Sequence, residues 1–289
     1  MSTRVLYATN GGAPAADAGL LLRGIADASR TAVTVNVCDS VEFSYPLRYP
    51  EGDLKPRPQP EEVVAEEIER FEQEGFEADY HLGVGVPAEQ ILQKVKSGSY
   101  DLTAMGAGSS SWLGNLLLGS TSTRVLRGSE SSVLIVHQFA GVGDTIQVLL
   151  ATDGSPDAEL AVKTLLELAD PAKVEVRVIS VADLVPLSAT QYDDWIATDE
   201  VVSHLHSQAV LAADRAAQPL VDAGFAVTVD IPIGNPARLI VELAKSADLV
   251  VVGSRGLGPA GRLALGSVSD QVARLAPAAL VSRSSLTAT

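Results

Sequence analysis

The chain repeats itself, and that repeat constrains its fold more than any other feature. Arg4-Val-Leu-Tyr-Ala-Thr-Asn-Gly-Gly returns as Gln147-Val-Leu-Leu-Ala-Thr-Asp-Gly-Ser, offset by 143 residues. Gly75-Phe76 returns as Gly224-Phe225, and Gly85-Val-Pro-Ala as Gly234-Asn-Pro-Ala, both offset by 149. Asp101-Leu102 matches Asp248-Leu249, and Gly119-Ser120 matches Gly266-Ser267, both offset by 147. The matches keep their order, and the drifting offset implies short insertions between shared elements. A two-glycine stretch, Phe139-Ala-Gly-Val-Gly-Asp144, reads as a short linker between the copies. The expected domains are 1–140 and 145–289, closely packed.

The second copy shows the element order clearly. Val148–Ala151 is an apolar strand, followed by the turn Asp153-Gly-Ser-Pro, with Ser155 a helix N-cap and Pro156 at the first helical position. A helix runs to Leu168. Strands at 174–181, 225–231, 249–252 and 279–282 alternate with helices at 201–223, 236–246 and 267–275. Such alternation gives βαβ units, so each copy is expected to be an open, Rossmann-like parallel sheet with helices on both faces. Ligands of these sheets bind beyond the carboxyl ends of the strands, at the switch in strand order. The first copy follows the same order. Its segment from Arg48 to Pro60 reads as an irregular loop. The helix that begins at Pro60 is acidic, its charges read as a solvated face.

Net charge is −15, about −7 before Gly143 and −8 after it. An even acidic balance excludes the basic footprint of a nucleic-acid binder. It fits either ordinary solubility or a high-salt cytoplasm. Aromatic residues are only 4%, so the cores must rest on Val, Leu, Ile and Ala. Cys38 is the single cysteine, which excludes an internal disulfide and fits a reducing compartment. No apolar run approaches a membrane span of roughly 18 residues. The N-terminal run lacks the regions of a signal peptide. The expectation is a cytoplasmic protein with no membrane or nucleic-acid partner.

The chemistry concentrates in one loop, Val252-Gly253-Ser-Arg255-Gly256, continuing to Gly266-Ser267-Val268. Glycines allow close approach of backbone to a phosphate and positive φ. A helix starting at Ser267 offers free N–H groups and a positive dipole end to an anion. The plainer alternative is that the glycines only shape a surface loop. The spacing Gly-x2-Gly-x9-Gly-Ser, after an apolar strand, resembles the nucleotide loop of the universal stress protein family. The turn Leu150-Ala-Thr-Asp153-Gly-Ser-Pro resembles that family's first strand and turn. Both halves share the likeness, so the chain looks like a tandem universal stress protein with adenine nucleotide alpha hydrolase-like domains.

That resemblance implies binding of ATP or a related adenine nucleotide, with Mg2+ arriving on its phosphates. Asp153 would contact ribose or adenine, and Val181 would meet adenine through its backbone. Gly253, Gly256, Gly266, Ser267 and Val268 would hold the phosphates. Arg255 would add charge beside them, or be a solvated arginine. The first copy departs from the pattern. Asn10 replaces Asp153, and its loop runs Gly106-Ala-Gly108-Ser109, then Gly119-Ser120. Ser109 stands where the second glycine belongs and would be strained at positive φ. The first site is expected to bind weakly or not at all.

No Walker-type Gly-x4-Gly-Lys, Gly-x-Ser-x-Gly elbow or cysteine zinc cluster occurs. His204 and His206 do not share a helix face, and Asp193-Asp194 reads as a solvated loop. Two other readings stay open. One is an adenylating enzyme that uses ATP. The other is an interaction module whose last strands, 133–136 and 279–282, pair across the halves or between chains as a homodimer.

Overall fold

The computed structural model describes residues 2–39, 59–108, 118–141, 143, 145–183, 199–256 and 265–283. Ser109, Asp193-Asp194 and residues 48–58 of the expected irregular loop lie outside them.

The first copy supplies β1 (Thr3–Thr9), α1 (Ala13–Ile25), β2 (Thr31–Asp39), α2 (Pro60–Gln73), β3 (Glu77–Val84), α3 (Pro87–Gly98), β4 (Leu102–Gly106), α4 (Ser120–Gly128) and β5 (Ser132–Val136). The second supplies β6 (Ile146–Ala151), α5 (Pro156–Leu168), β7 (Val174–Ile179), α6 (Asp199–Asp222), β8 (Ala226–Asp230), α7 (Pro236–Leu243), β9 (Leu249–Gly253), α8 (Ser267–Leu275) and β10 (Ala278–Ser282). Each expected element of the second copy is present, with no end shifted by more than three residues. Strand β7 stops two residues before Val181.

Within each copy the strands are parallel, in the order β3-β2-β1-β4-β5 and β8-β7-β6-β9-β10. The strand order reverses beside β1 and β6, so a crevice opens where β1 meets β4 and where β6 meets β9. The two sheets are one. β5 and β10 pair antiparallel, with Leu134 opposite Leu280 and Val133 opposite Val281. Adding the repeat offset of 147 to one pair generates the other, so the seam lies on a pseudo-twofold axis. A second contact across the axis joins the ends of α1 and α5. There Asp27 N donates to Leu168 O at 2.9 Å and Asp170 N to Ile25 O at 2.8 Å. One apolar cluster lies on each face of the sheet, and each draws residues from both copies.

The repeated motifs have structural causes. Asp101 and Asp248 precede β4 and β9, and their carboxylates accept the amides of Arg4 and Gln147 at 2.9 and 2.8 Å. Each sets the register of a central strand. Gly75 and Gly224 follow α2 and α6 at φ 87° and 91°, the left-handed conformation that ends a helix without a Cβ penalty.

One expectation fails in α2. Glu61, Glu62 and Glu66 are exposed, but Glu67 is buried, 3% exposed, against buried Arg23 of α1. Arg70 donates to Glu67 Oε1 at 2.6 Å, and Arg23 lies 3.8 Å from Oε2. Arg23 also bonds Glu74 at 2.8 Å and lies over the Phe71 ring, which packs edge-on against Tyr7. The cause is register, since Val63, Val64, Glu67 and Phe71 share one helical stripe. In the second copy the offsets put Leu150, Leu166, Ala216 and Leu220 in place of Tyr7, Arg23, Glu67 and Phe71. The same site there is wholly aliphatic.

Two predictions follow from this packing. Leu134→Ala or Leu280→Ala removes a fully buried seam side chain, so each should lower the unfolding free energy by about 2–5 kcal/mol in urea titrations. The double variant should depart from additivity, because the pair is in contact. Burial pushes the Glu67 carboxyl above its ordinary value of 4.5, against the pull of Arg70 and Arg23. A raised folded pKa adds stability below the unfolded value and loses it as pH rises through the folded pKa. The urea midpoint should therefore fall as pH climbs above 4.5, and Glu67→Gln should flatten that decline. Equal slopes in the two proteins would refute the assignment.

Candidate functional site

The crevice of the second copy is built from the ends of β6 and β9 and the starts of α5 and α8. After β6, Thr152 Oγ1 accepts Gly154 N at 3.2 Å and Asp153 Oδ1 accepts Ser155 N at 3.0 Å. These two bonds turn the chain into α5 and leave Asp153 exposed at the crevice mouth. Ser155 caps α5 by accepting Ala158 N at 3.3 Å. The first copy makes the same turn, with Thr9 accepting Gly11 N at 3.1 Å and Asn10 accepting Gly12 N at 3.0 Å. Gly12 replaces Ser155, so α1 has no side-chain cap.

Gly253 ends β9 directly above the first turn of α5. A Cβ there would lie 2.5 Å from the carbonyl carbon of Asp157 and 2.8 Å from Ala158 N. Gly106 is equally constrained, 2.6 Å from the carbonyl carbon of Pro14. These two glycines let a helix backbone rest on a strand end. Gly256 differs, since a Cβ there would collide with Oδ2 of Asp153. The second loop glycine and the first-strand aspartate therefore meet at the crevice mouth. Gly266, the N-cap of α8, is extended at φ −64°, and its own Cβ would touch nothing closer than 3.4 Å.

Positive φ was expected of these glycines, and none of Gly106, Gly119, Gly253, Gly256 and Gly266 adopts it. The constraint on Gly106, Gly253 and Gly256 is close approach. The left-handed residue is Gly108 of the first copy, at φ 125°, where an added Cβ would lie 2.8 Å from Gly119 Cα. The equivalent residue of the second copy is Arg255. The two loops thus leave the sheet by different paths.

The helix at Ser267 begins where expected. Among the described residues no side chain caps α8, and the first-turn amides of a helix have no intrahelical partner. Ser267 is exposed, and Val268 packs on the apolar cluster of that face. Val181, two residues past β7, packs on the same cluster. Asp270 in the first turn is favoured by the positive end of the dipole and its charge is shared with Arg274, which bonds it at 2.8 Å, and with Arg127 of the first copy, 3.9 Å away. Among the described residues α4 likewise has no side-chain cap, with Gly119 as N-cap and Ser120 as its first residue.

Arg255 is not a solvated arginine. Its Nε donates to Asp157 Oδ2 at 3.1 Å, and the same oxygen accepts Ser254 Oγ at 2.6 Å. This trio belongs to the second copy alone, where the first has Pro14, Ala107 and Gly108. Sequence reasoning passed over Asp157 and Ser254, since a polar residue beside a glycine loop carries no spacing signal. It also missed Ser122 and Ser269, which do carry one at the 147 offset. Their hydroxyls donate to Ala107 O and Gly253 O, both at 2.6 Å, and lock each helix to the end of its strand. Among the described residues, no three His, Cys, Asp or Glu side chains gather to hold a metal ion.

The two classes of glycine should separate by measurement. Gly253→Ala forces overlap with backbone and should cost about 1–3 kcal/mol in thermal or urea unfolding, with no ligand present. Gly266→Ala, with room for its methyl, should stay within about 0.5 kcal/mol of wild type.

Residues 1–137 and 147–281 each match the model of the universal stress protein family. Universal stress protein Rv2623 of Mycobacterium tuberculosis is 35% identical over 184 residues, which are 62% of this chain and 60% of that protein. The chain thus spans about three-fifths of the length of these curated relatives. A universal stress protein from Archaeoglobus fulgidus has the same fold, with a TM-score of 0.61 at 20% identity, over 98% of this chain and 99% of that one. A functionally unknown protein of Pseudomonas aeruginosa PAO1 superposes with a TM-score of 0.63 at 14% identity, over 98% and 93%. The two-fold repeat and the paired α/β crevices have their explanation in that match: the chain is a member of the universal stress protein family, carrying two of its domains in tandem.

Proposed function

We propose that the second copy, residues 145–289, binds an adenine nucleotide such as ATP, and that this binding tunes the protein's conformation or partners in a stress response without turnover. The observation that carries the reading is the meeting of Asp153 with Gly256 beside the uncapped start of α8. The carboxylate suits a ribose hydroxyl, which it accepts as a hydrogen bond. The amides at Ser267 and Val268 suit phosphate oxygens. Arg255, held at the loop neck by Asp157, supplies the positive charge that the glycines lack. Val181 supplies backbone groups for the base. The phosphates would carry any Mg2+ with them, since the loop offers it no carboxylate cluster.

The first copy, residues 1–140, is the weaker site in this reading. Asn10 replaces the carboxylate, and Gly108 replaces the arginine. Contact between Gly108 and Gly119 also narrows the neck of its loop. The seam between β5 and β10 does not compete with this function, because it leaves the carboxyl ends of β6 and β9 open. A cytoplasmic location belongs to the same proposal.

Calorimetry with ATP on wild type and Gly266→Asp tests it. The wild type should bind one nucleotide per chain, and the aspartate, placed at the phosphate end of α8, should abolish the heat. A saturating ligand at a hundredfold excess over Kd should also raise stability by about 2.7 kcal/mol in the wild type alone. Equal binding by both proteins would move the site elsewhere, and absence of heat from wild type would end the proposal.

A further inference from the structure

The two nucleotide helices, α4 and α8, are tied to each other across the pseudo-twofold axis by side chains that the proposed site does not use. Arg283 follows β10 of the second copy. Its Nη1 donates to Ser129 O at 3.1 Å and Arg127 O at 3.4 Å, the open carbonyls at the C-terminal end of α4. A cation is favoured there by the helix dipole. In the other direction, His137 follows β5 of the first copy, and its Nε2 lies 2.9 Å from Ala273 O in the last turn of α8. Arg127, in the last turn of α4, reaches Asp270 in the first turn of α8 at 3.9 Å. Arg283 and His137 therefore grip the other copy's helix at the end opposite its first-turn amides, and Arg127 reaches the first turn of α8 itself.

Arg283 is also linked to the second site. Ser254 N, at the neck of the glycine loop, donates to Ser282 O at 2.9 Å, one residue before Arg283. Burial weakens the hold of Arg283 on its proton, the charge of Arg255 adds to that effect, and Asp157 opposes it. The two arginines thus share the field of one carboxylate, which accepts hydrogen bonds from Arg255 and from Ser254. Arg283 Nε is buried and has no hydrogen-bond partner among the described residues. An unpaired buried donor is costly and readily takes an acceptor that becomes available.

Resting on the nucleotide reading, we infer that Arg283 is a positioning residue that couples the second site to helix α4 of the first copy. A phosphate in the second site draws Arg255 away from Asp157. Asp157 then acts on Arg283 alone, and Arg283 loosens its hold on the carbonyls of Arg127 and Ser129. Occupancy of one copy is in this way expressed at the nucleotide helix of the other. By linkage, anything that fixes α4 changes the affinity of the second site by the same factor.

Amide hydrogen exchange on the full chain, with and without ATP, tests the coupling. Saturating ATP should raise exchange in α4 of the wild type by about fivefold or more, a shift typical of coupled sites. Arg283→Lys keeps the charge but loses the fork, and Arg283→Leu loses both. Each should erase the ATP response of α4 while calorimetry still finds ATP bound. Gly266→Asp should erase the response together with binding. The inference is overturned if wild type binds ATP with α4 unchanged, or if both Arg283 variants keep the response. It is also overturned if the response survives in Gly266→Asp, since ligand would then act on the first copy directly. If calorimetry finds no ATP bound to wild type, the site reading fails and takes the coupling with it.

Discussion

The antiparallel pairing of β5 with β10 is the contact on which the rest of the molecule depends. Two parallel five-stranded sheets each carry an edge at their fifth strand, and an edge of unpaired amides and carbonyls needs a cover. Each copy provides the other's cover. The pairing satisfies both edges, and it buries Leu134, Leu280, Val133 and Val281 completely. It also sets the orientation of everything attached to those strands. Helices α4 and α8 precede β5 and β10, so the seam fixes the starts of both helices about one axis. The contacts of Arg283 and His137 follow from that placement, because residues just past one copy's last strand arrive at the end of the other copy's helix.

The fold was legible because it rests on patterns that short sequence windows record. Apolar runs at Val148–Ala151 and Leu249–Val252 mark buried parallel strands, and the ordered repeats mark the duplication. Pro156 and Ser155 mark the start of α5, where the cap bond is found. The charge on α2 was less legible. Glu67 sits among exposed glutamates, and only the register of Val63, Val64 and Phe71 reveals that it turns inward. Its partner Arg23 lies forty-four residues earlier, on another helix, a distance that no local pattern reports.

The candidate site was half legible for a physical reason. A glycine that admits a phosphate and a glycine that admits another backbone look identical in sequence. At Gly253 and Gly106 the second explanation holds, since α5 and α1 occupy the space a Cβ would need. At Gly256 the neighbour is the carboxylate of Asp153, a group at the mouth of the crevice. Three-dimensional contact separates glycines that abut a helix backbone from one that abuts a side chain at the crevice mouth, and spacing alone treats them as one motif. The same limit hid Asp157, whose role depends on a serine and an arginine about a hundred residues away.

The two copies have diverged along related lines. The first keeps a buried ion cluster in its core and a glycine pair at its loop neck. The second has an aliphatic core and puts its charge at the loop, as Asp157 with Arg255. Buried charges are expensive to strand, so the network of Arg23, Glu67 and Arg70 holds α1 and α2 in one arrangement. An exposed or half-buried pair at a loop costs little to break and remake. Arg255 and Asp157, at 31% and 16% exposed, are more open to solvent than Arg23 and Glu67, at 8% and 4%. A duplicated domain with a rigid polar core in one half and an exchangeable ion pair in the other is physically suited to a division of labour. On the proposed reading, an anion at the loop of the second half would be felt by the first through a helix whose far end the second half already holds.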